Sequence, residues 1–462
     1  MTRALLSLAT FLVFVCGVAA ASERTVTEGH SIQEVVNAAA AGDLIKVMPG
    51  LYHETVYVDK DHVYLMGVIQ EGRWPVLDGE DVLNDGILIA GHGVTVEHFH
   101  VKRYRGNGIM GQGGNNFRFL SNWVEGGKES VYGIFPQFGK NGLVAWNIVS
   151  GVQDAAIYVG MCEHVDVTAN DTSESVIGIE SENSHHVLIE GNYVHGNSTG
   201  ITLTLIPGLP VKTASDTIVR NNFIVNNNSP SRAPPGSIAA DVPTGTGILV
   251  FAADAGTFEG NVIRGHDNVG ILFADQSLIP APPDPKEDPL PDNNRVLDNV
   301  FIENGNQPGG IIGDLLTAAG RSKGVDLMST GKGRNNCILG PGALSRVGVD
   351  SWTPCAPGAT SSLVRTEQLS QPVRSQTFTL AQKGRLTYVA VCTGCHSYST
   401  RVIGPPMLTI QALYKGREHD LARWIAAPTR KRPDYPEMPP QNYLPEDVRL
   451  AVANYILNDL RP

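Results

Sequence analysis

Charged residues are scarce in this 462-residue chain: Asp, Glu, Lys and Arg together make up 18%, and the formal net charge is −11. The shortage of basic residues argues against nucleic-acid binding, which needs stripes of Lys and Arg, and it disfavours a polyanionic substrate. Beyond its N-terminal segment the chain also lacks the roughly 18 uninterrupted apolar residues that a membrane-spanning helix needs. We therefore expect a protein that neither binds nucleic acid nor spans a membrane.

The N-terminal segment predicts export. Arg3 is the only charge before the apolar run from Ala4 to Val15, and small residues follow as far as Ser22. This is the pattern of a secretory signal peptide, which we assign to residues 1–21. The run is too short to cross a membrane as a helix. We expect a periplasmic or secreted protein.

Cysteine is rare, with six residues in the chain, and its use agrees with export. Cys337 and Cys355 close a loop of convenient length in a Gly/Pro-rich segment, which predicts a disulfide in an oxidising compartment. Cys162 is left over, and it is either a small buried apolar residue or a free thiol.

Glycine is abundant, with 50 residues, and many glycines belong to a repeat. A small residue followed by isoleucine recurs every 22 to 25 residues, at Ile87, Ile109, Ile134, Ile157, Ile179 and Ile201. The pattern returns at Ile248, Ile271 and Ile311, and a second series runs in phase with the first at Asn122, Asn147, Asn170 and Asn192. A coil of this length cannot bury its own apolar face, so stacked coils would share a core and their asparagines would hydrogen-bond between coils. The repeat predicts a mainly β chain with a right-handed parallel β-helix over residues 22–355. The consensus of leucine-rich repeats and the Trp-Asp signature of β-propellers are both missing.

The first coil carries a family resemblance. Residues 31–54 combine an apolar helix face (Ile32, Val35, Val36 and Ala39) with two turns and a short strand, Leu44 to Val47. This segment resembles the N-terminal cap and first coil of secreted pectate-lyase-like β-helix proteins, and residues 26–350 resemble an uncharacterised group of exported β-helix repeat proteins, some of them fused to cytochromes. The helix would plug the open end of the sheets.

Two Pro-rich stretches interrupt the coil period. Residues 205–246 and 277–293 are too rich in proline for strands, and we interpret both as excursions from one corner of the coil, either decorating it or shaping a binding groove. Residues 356–376 are rich in Ser, Thr and Gln and are predicted to be a linker.

Cys392, Cys395 and His396 form a Cys-x-x-Cys-His motif. Two thiols at this spacing can form thioether bonds to haem vinyl groups, and the adjacent histidine can become an axial iron ligand. A zinc half-site and a redox-active cysteine pair are the alternatives. Export favours haem, because c-type haem is attached outside the cytoplasm.

Residues 377–462 resemble a class I c-type cytochrome, an all-α domain. Gly384 and Tyr388 precede Cys392 on one face of a helix, as in the family's first helix, and Tyr455 would be the aromatic partner in the last helix. The sequence Gly404-Pro405 resembles the family's turn, in which the proline carbonyl accepts a hydrogen bond from the proximal histidine. The resemblance implies one covalent haem c and a periplasmic redox partner protein.

Met438 is the predicted sixth ligand of the iron, opposite His396. It lies between prolines, which would hold a weak sulfur–iron bond in place. Met407 and His419 are the rival ligands, and an iron with His396 as its one protein ligand is a further alternative.

The strands of the repeat place a group of polar residues on one outer face. Residues alternate between the two faces of a strand, so Glu180 and Glu182 both point away from the core, with Tyr158 on the preceding coil. The pair would act as acid and base or hold a divalent cation in an oligosaccharide groove, with Tyr158, Lys140, His185 or Lys212 as the cationic or aromatic partner. Alternatively, the two glutamates are ordinary solvated surface residues.

Two functions follow from these patterns, and a third, a metal-delivery β-helix, ranks below both because the repeats show no His/Met cluster in the sequence. The first is a haem electron-transfer protein with a β-helix that binds a ligand such as an oligosaccharide. The second is a polysaccharide lyase or epimerase with an accessory cytochrome, although the chain lacks the Asp-Pro-His-Asp motif of β-helix epimerases and the basic strand of pectate lyases.

Overall fold

The computed structural model describes residues 21–461 except 236, 279–283, 332, 341–343, 394, 400, 402, 403 and 436. The predicted signal peptide therefore lies outside the described residues apart from Ala21. Within them the chain is mainly β, and the strands form three parallel sheets around one core.

Each of the three sheets is built from strands of successive coils, in chain order. Sheet 1 contains Glu23–Val26, Leu44–Val47, Tyr64–Gly67, Thr95–Glu97, Arg118–Leu120, Lys140–Ala145, Glu163–Thr168, His185–Glu190, Ile218–Arg220, Thr257–Glu259, Arg295–Leu297, Cys337–Leu339 and Thr353–Pro354. Sheet 2 contains Val56–Val58, Asp85–Ile89, Asn107–Gln112, Tyr132–Gln137, Ala155–Gly160, Ile177–Glu182, Thr199–Thr204, Thr246–Phe251, Val269–Ala274, Val325–Ser329 and Arg346–Val347. Sheet 3 contains Gly50–Tyr52, Pro75–Asp78, His100–Lys102, Trp123–Glu125, Ile148–Ser150, Asp171–Ser173, Tyr193–His195, Phe223–Val225, Val262–Arg264 and Val300–Ile302.

The repeated isoleucines build the core, as predicted. Along sheet 2 they pair in register from coil to coil, for example Ile157 with Ile179 and Ile179 with Ile201, and each is fully buried. A small residue before the isoleucine is required because neighbouring side chains leave no room. A Cβ added to Gly178, for instance, would lie 2.4 Å from Val194. The observed parallel β-helix therefore follows from the period of the sequence.

The asparagine series forms the predicted ladder between coils. Asn147 donates from its backbone N–H and from Nδ2 to Oδ1 of Asn170, at 2.9 Å in each case, and Asn170 repeats both bonds to Asn192. The ladder runs beyond the residues that the sequence singled out, through Asn222 and Asn261. It satisfies backbone groups that would otherwise be buried without a partner at a corner of every coil.

One member of the isoleucine series was assigned wrongly. Ile311 lies in a helix and is 48% exposed, and the coil position that it was expected to fill belongs to Leu327. The helix forms because Ile312 and Leu316, four residues apart, share one apolar face, and both are fully buried.

The first predicted excursion is also shorter than expected. Two strands of the coil, Ile218–Arg220 and Phe223–Val225, lie inside it and pair normally with their neighbours. The excursion is thus two loops, before and after these strands. The Pro- and Asn-rich flanks concealed a short segment that carries the ladder residue Asn222.

Helices cap, cover and extend the β-helix. They are α1 (Ile32–Ala38), α2 (Gly310–Ala318), α3 (Leu380–Thr387, continued by a π-helical turn Tyr388–Cys392), α4 (Met407–Tyr414), α5 (Glu418–Ala426) and α6 (Glu446–Asn454, continued by a π-helical turn Tyr455–Asp459). Short 3-10 turns span Ile238–Asp241 and Gln276–Leu278. α1 buries Ile32 and Val36 at the end of the core, as the predicted cap. Among the described residues, every helix is too short or too polar to cross a membrane.

The two cysteine predictions outside the helical region are confirmed. Cys337 and Cys355 form a disulfide. Cys162 is buried in the core, and burial raises the pKa of its thiol to about 12. It therefore behaves as a small apolar residue.

The connecting segment, residues 356–376, lies along sheet 1. Ser361 accepts a hydrogen bond on its carbonyl from Arg220, Leu369 N–H donates to Asn141, and Val373 N–H donates to Asn116. Near its end, Gln376 N–H donates to His92. The segment predicted as a linker thus runs back over the coils, and the helices that follow it lie beside the early coils.

Candidate functional site

The outer face of sheet 2 carries the columns of residues that the repeat predicts. Tyr158 pairs with Glu180, and Glu180 with Thr202. In the neighbouring column Glu182 pairs with Thr204. The two glutamates therefore stand two positions apart on the strand Ile177–Glu182, on the side away from the core.

This face is covered, so the interpretation of Glu180 as a solvated surface residue is wrong, whereas Glu182 is half-buried. Glu180 exposes 6% of its surface and Tyr158 also 6%. α2 packs on sheet 2 through Ile312 and Leu316, and the 3-10 turn packs Ala239 onto the same face. Between these covers and the sheet lies a cavity of about 870 Å³, lined by Tyr158, Glu180 and Glu182.

Three further carboxylates, which the sequence analysis missed, line the same cavity: Asp154, Asp241 and Asp267. Asp154 lies just before the strand Ala155–Gly160, outside the alternating columns. Burial raises the pKa of Asp154 to about 7 and that of Glu182 to about 7, and it raises the pKa of Glu180 further, with repulsion from Glu182 adding to the effect. The site therefore holds carboxyl groups that can exchange protons near neutral pH.

Two tyrosines hold these carboxyl groups. The rings of Tyr132 and Tyr158 stack with their centroids 5.1 Å apart. The Tyr158 hydroxyl donates to Oε1 of Glu182, and the Tyr132 hydroxyl bonds Asp154. Burial and the neighbouring carboxylates keep the pKa of both phenols well above its usual value, so they act as hydrogen-bond donors. Thr204 Oγ1 donates to Glu180 Oε1 at 3.2 Å.

The predicted cationic partners lie elsewhere. Among the described residues that line the cavity there is no Lys, Arg or His. Lys140 pairs with Glu163 at 2.8 Å, Lys212 pairs with Asp284 at 2.8 Å, and His185 bonds Ser215. The described lining thus offers no positive charge to an anion, and the cavity suits a neutral or cationic ligand.

Glu180, Glu182 and Asp154 do not form a group of three metal-ligating side chains. Within the described part of the chain, ligand atoms of His, Cys, Asp and Glu meet within 4.8 Å in one group of three, and neither Glu180 nor Glu182 belongs to it. A divalent cation held by these two residues alone stays a prediction.

The Cys-x-x-Cys-His motif lies at the end of the π-helical turn that continues α3. Cys392, Cys395 and His396 line one apolar pocket among the helices. His396 Nδ1 donates to the Pro405 carbonyl at 2.8 Å, as the resemblance implied, which leaves the Nε2 lone pair free. Gly404 lies against the imidazole, where an added Cβ would come within 2.3 Å of the ring.

Both candidate methionines reach this pocket. Met407 and Met438 line it together with Trp424, whereas His419, on α5, does not. Met407 is 2% exposed and packs in the core of the helices, while Met438 lies on a loop and is half-buried. Tyr388 meets its predicted partner Tyr455, with ring centroids 5.4 Å apart.

The helices rest on the same face of sheet 2 that forms the cavity. Val391 and Val448 pack in one apolar cluster with Met110, Phe135 and Tyr158. Polar contacts accompany this packing: Gln112 Nε2 donates to Thr387 Oγ1 at 2.7 Å, and Tyr443 donates to the buried carboxylate of Asp85. The residue after Val391 is Cys392, so the motif lies at the interface with the β-helix.

Comparison with known proteins adds the following. Residues 53–239 match the family described as periplasmic copper-binding protein (NosD). The chain is similar to the A-module of mannuronan C-5 epimerase AlgE4 from Azotobacter vinelandii, with 13% identity over 70% of this chain and 94% of that one, at a TM-score of 0.47. It is also similar to an alginate lyase from Paenibacillus, with 11% identity over 63% of this chain and 98% of that one, at a TM-score of 0.39. No curated protein matches the chain.

Proposed function

We propose that this chain is an exported electron-transfer protein that carries one covalent haem c in its helical region and binds a ligand in the β-helix cavity. The observation that carries the proposal is the state of His396, whose Nδ1 is held by the Pro405 carbonyl and whose Nε2 is left for iron. Cys392 and Cys395, which line the same apolar pocket, would provide the two thioether bonds. Bound haem supplies reversible one-electron chemistry.

The residues of the pocket suit this role. The hydrogen bond to Pro405 fixes the tautomer and orientation of His396 and raises its basicity as a ligand. Gly404 leaves room beside the imidazole, and the apolar lining, which includes Ile410 and Leu421, keeps water from the group. His396 and Met438 would be the axial ligands, and a redox partner protein outside the cytoplasm would exchange the electron.

The β-helix supplies the binding part of the function. Its cavity is large enough for a small organic molecule, and its stacked tyrosines and carboxyl groups are the side chains that bind sugar hydroxyls. We therefore propose a neutral or cationic oligosaccharide as ligand. The match to a family described as periplasmic and copper-binding agrees with export and with a metal-containing protein.

A second candidate function is that of a polysaccharide lyase or epimerase, with Glu180, Glu182 and Tyr158 as catalytic residues. Two cavity carboxyl groups whose pKa lies at about 7 are suited to acid–base catalysis, and this observation favours it. The absence of cationic residues among the described lining opposes it, because a uronate carboxylate would find no positive charge to pair with in the cavity.

An assay on uronate polymers separates the two functions. The full chain, incubated with alginate and pectate, should give no absorbance of unsaturated products and no epimerised units, because nothing cationic neutralises the substrate carboxylate. A neutral oligosaccharide should instead bind, as measured by calorimetry. Product from a uronate polymer, lost in the Glu182→Gln variant, would establish the second function.

The axial ligand can be tested by two matched substitutions. Met438→Ala should abolish the thioether-to-iron absorption band at the red end of the oxidised spectrum and lower the reduction potential, because methionine ligation favours ferrous iron. Met407→Ala should keep the band and lower the melting temperature, because Met407 is buried in the helical core. The reverse result would assign the iron to Met407, and wild-type protein without haem absorbance would refute the proposed function.

A further inference from the structure

Two histidines and a glutamate meet between sheet 1 and the connecting segment. The rings of His164 and His186 lie parallel, with centroids 4.6 Å apart, and Glu367 Oε2 lies 3.8 Å from Nδ1 of His186. One ligand atom from each of the three side chains lies within 4.8 Å of the other two. Neither the pocket around His396 nor the cavity on sheet 2 includes these residues.

The two histidines occupy an unusual backbone position. Each is the second residue of a sheet 1 strand, and each has a positive φ, 57° for His164 and 53° for His186. Asn116 and Asn141 hold the same corner in the two preceding coils, where their side chains are joined by a hydrogen bond of 2.8 Å. Asparagine tolerates positive φ well. The corner thus changes from an amide pair to an imidazole pair at these two coils.

The connecting segment brings the third side chain to this pair. Asp166 accepts hydrogen bonds from the N–H of Glu367 and from Nε2 of Gln368, each at 2.9 Å, and from the hydroxyl of Thr366. The carbonyl of Glu367 accepts a hydrogen bond from His164 Nδ1 at 3.0 Å. These bonds fix the segment at the position from which the Glu367 carboxylate faces His186.

The hydrogen bonds leave lone pairs for a metal. Because Nδ1 of His164 donates to a carbonyl, Nε2 is the nitrogen that can bind a cation, and this outer hydrogen bond orients the ring as in known histidine metal sites. Glu163, Asp166 and Asp216 add negative charge around the group, and Lys140 and Arg220 offset part of it.

We infer that His164, His186 and Glu367 form a binding site for a divalent late transition-metal ion. Two imidazoles and one carboxylate with an open fourth position suit Zn²⁺ and Cu²⁺, and they do not suit Mg²⁺ or Ca²⁺, which require oxygen ligands. Ligand atoms around such an ion lie about 3.3 Å apart, since its bonds are about 2.0–2.2 Å long. Small side-chain rotations therefore close the site. The ion would join the connecting segment to the β-helix.

Titration calorimetry on the untagged, haem-containing full chain tests this inference. Zn²⁺ should bind with a stoichiometry of one, and the affinity should fall at least tenfold in His186→Asn and in Glu367→Gln. Asparagine is the right replacement because it keeps the positive φ that alanine would strain. Cu²⁺ added to the wild type should show nitrogen hyperfine coupling in its electron paramagnetic resonance spectrum, and this coupling should be reduced in His186→Asn.

The matched control is His195→Asn. His195 pairs with Asp171 at 3.0 Å on sheet 3 without a third ligand nearby, so its loss should leave the Zn²⁺ affinity unchanged. Absence of Zn²⁺ and Cu²⁺ binding in the wild type, or equal affinity in all the variants, would overturn the inference. Circular dichroism reports the fold, and the haem spectrum reports the helical region. A missing metal site can therefore be told apart from a failure of the proposed haem function.

Discussion

If the proposed function is correct, the double change Cys392→Ala and Cys395→Ala should remove covalent haem completely from the protein. Both thiols line the pocket beside His396, and no other described cysteine is available, because Cys162 is buried in the β-helix and Cys337 is bonded to Cys355. Extraction with acid and organic solvent should leave haem on the wild-type chain and none on the double variant. The far-ultraviolet circular dichroism of the β-helix should be preserved, because its core does not depend on the motif.

The control for this experiment is Cys162→Ala, which removes a thiol of the core. It should keep all the haem and lose stability, by about 1–2 kcal/mol for a small buried side chain. Haem that washes out of the wild type, or that stays bound to the double variant, would contradict the assignment of the motif.

The double change Glu180→Gln and Glu182→Gln should abolish ligand binding and alter the pH dependence of stability. Burial raises the pKa of Glu182 to about 7 from a usual value of 4.5, so the folded state binds more protons than the unfolded state between these pH values. Wild-type stability should therefore fall as pH rises through this window, by about 3 kcal/mol for Glu182 alone. The variant lacks these two groups and should melt at a higher temperature than the wild type at pH 8. The fall between pH 5 and 8 should be smaller in the variant, and the remainder includes Asp154 and Asp254, whose pKa burial raises to about 7 and about 6.

Thermal melts at pH 5 and pH 8, together with calorimetric binding of a neutral oligosaccharide, measure both effects. Glu303→Gln is the control, because this glutamate makes an exposed ion pair with Arg264 and should change neither property measurably. If the double variant binds oligosaccharide as the wild type does, the cavity is not the ligand site. If it shows the same fall in stability between the two pH values, the carboxyl groups are already ionised at pH 5.

The coils could be predicted from the sequence because each coil repeats the same local constraint. Ile179 and Asn170 have equivalents one period away in the neighbouring coils. The core, the ladder and the outward direction of Glu180 therefore all follow from one period. The same reasoning failed at Ile311, where a glycine and an isoleucine occur in a helix whose period only Ile312 and Leu316 reveal.

The surroundings of the site could not be predicted, because they come from segments without a repeat. Ala239 and α2 cover the cavity, and both lie much later in the sequence than Glu180, outside the repeated coils. The repeat therefore does not indicate that Glu180 is covered. Asp154 was missed for a related reason. It stands just before a strand, where the alternation of inward and outward residues does not yet apply.

The connecting segment sets a limit on how this chain can change by duplication of repeats. Its residues meet successive coils in reverse order, with Ser361 at the coil of Arg220, Leu369 at that of Asn141 and Val373 at that of Asn116. An isolated β-helix can gain or lose a coil at either end or in the middle, at about 4.8 Å each. Here a coil added between Asn116 and Arg220 would move these two residues about 4.8 Å further apart. The connecting segment could then no longer reach both, unless it lengthened by the same distance. The number of coils and the length of the segment must therefore evolve together.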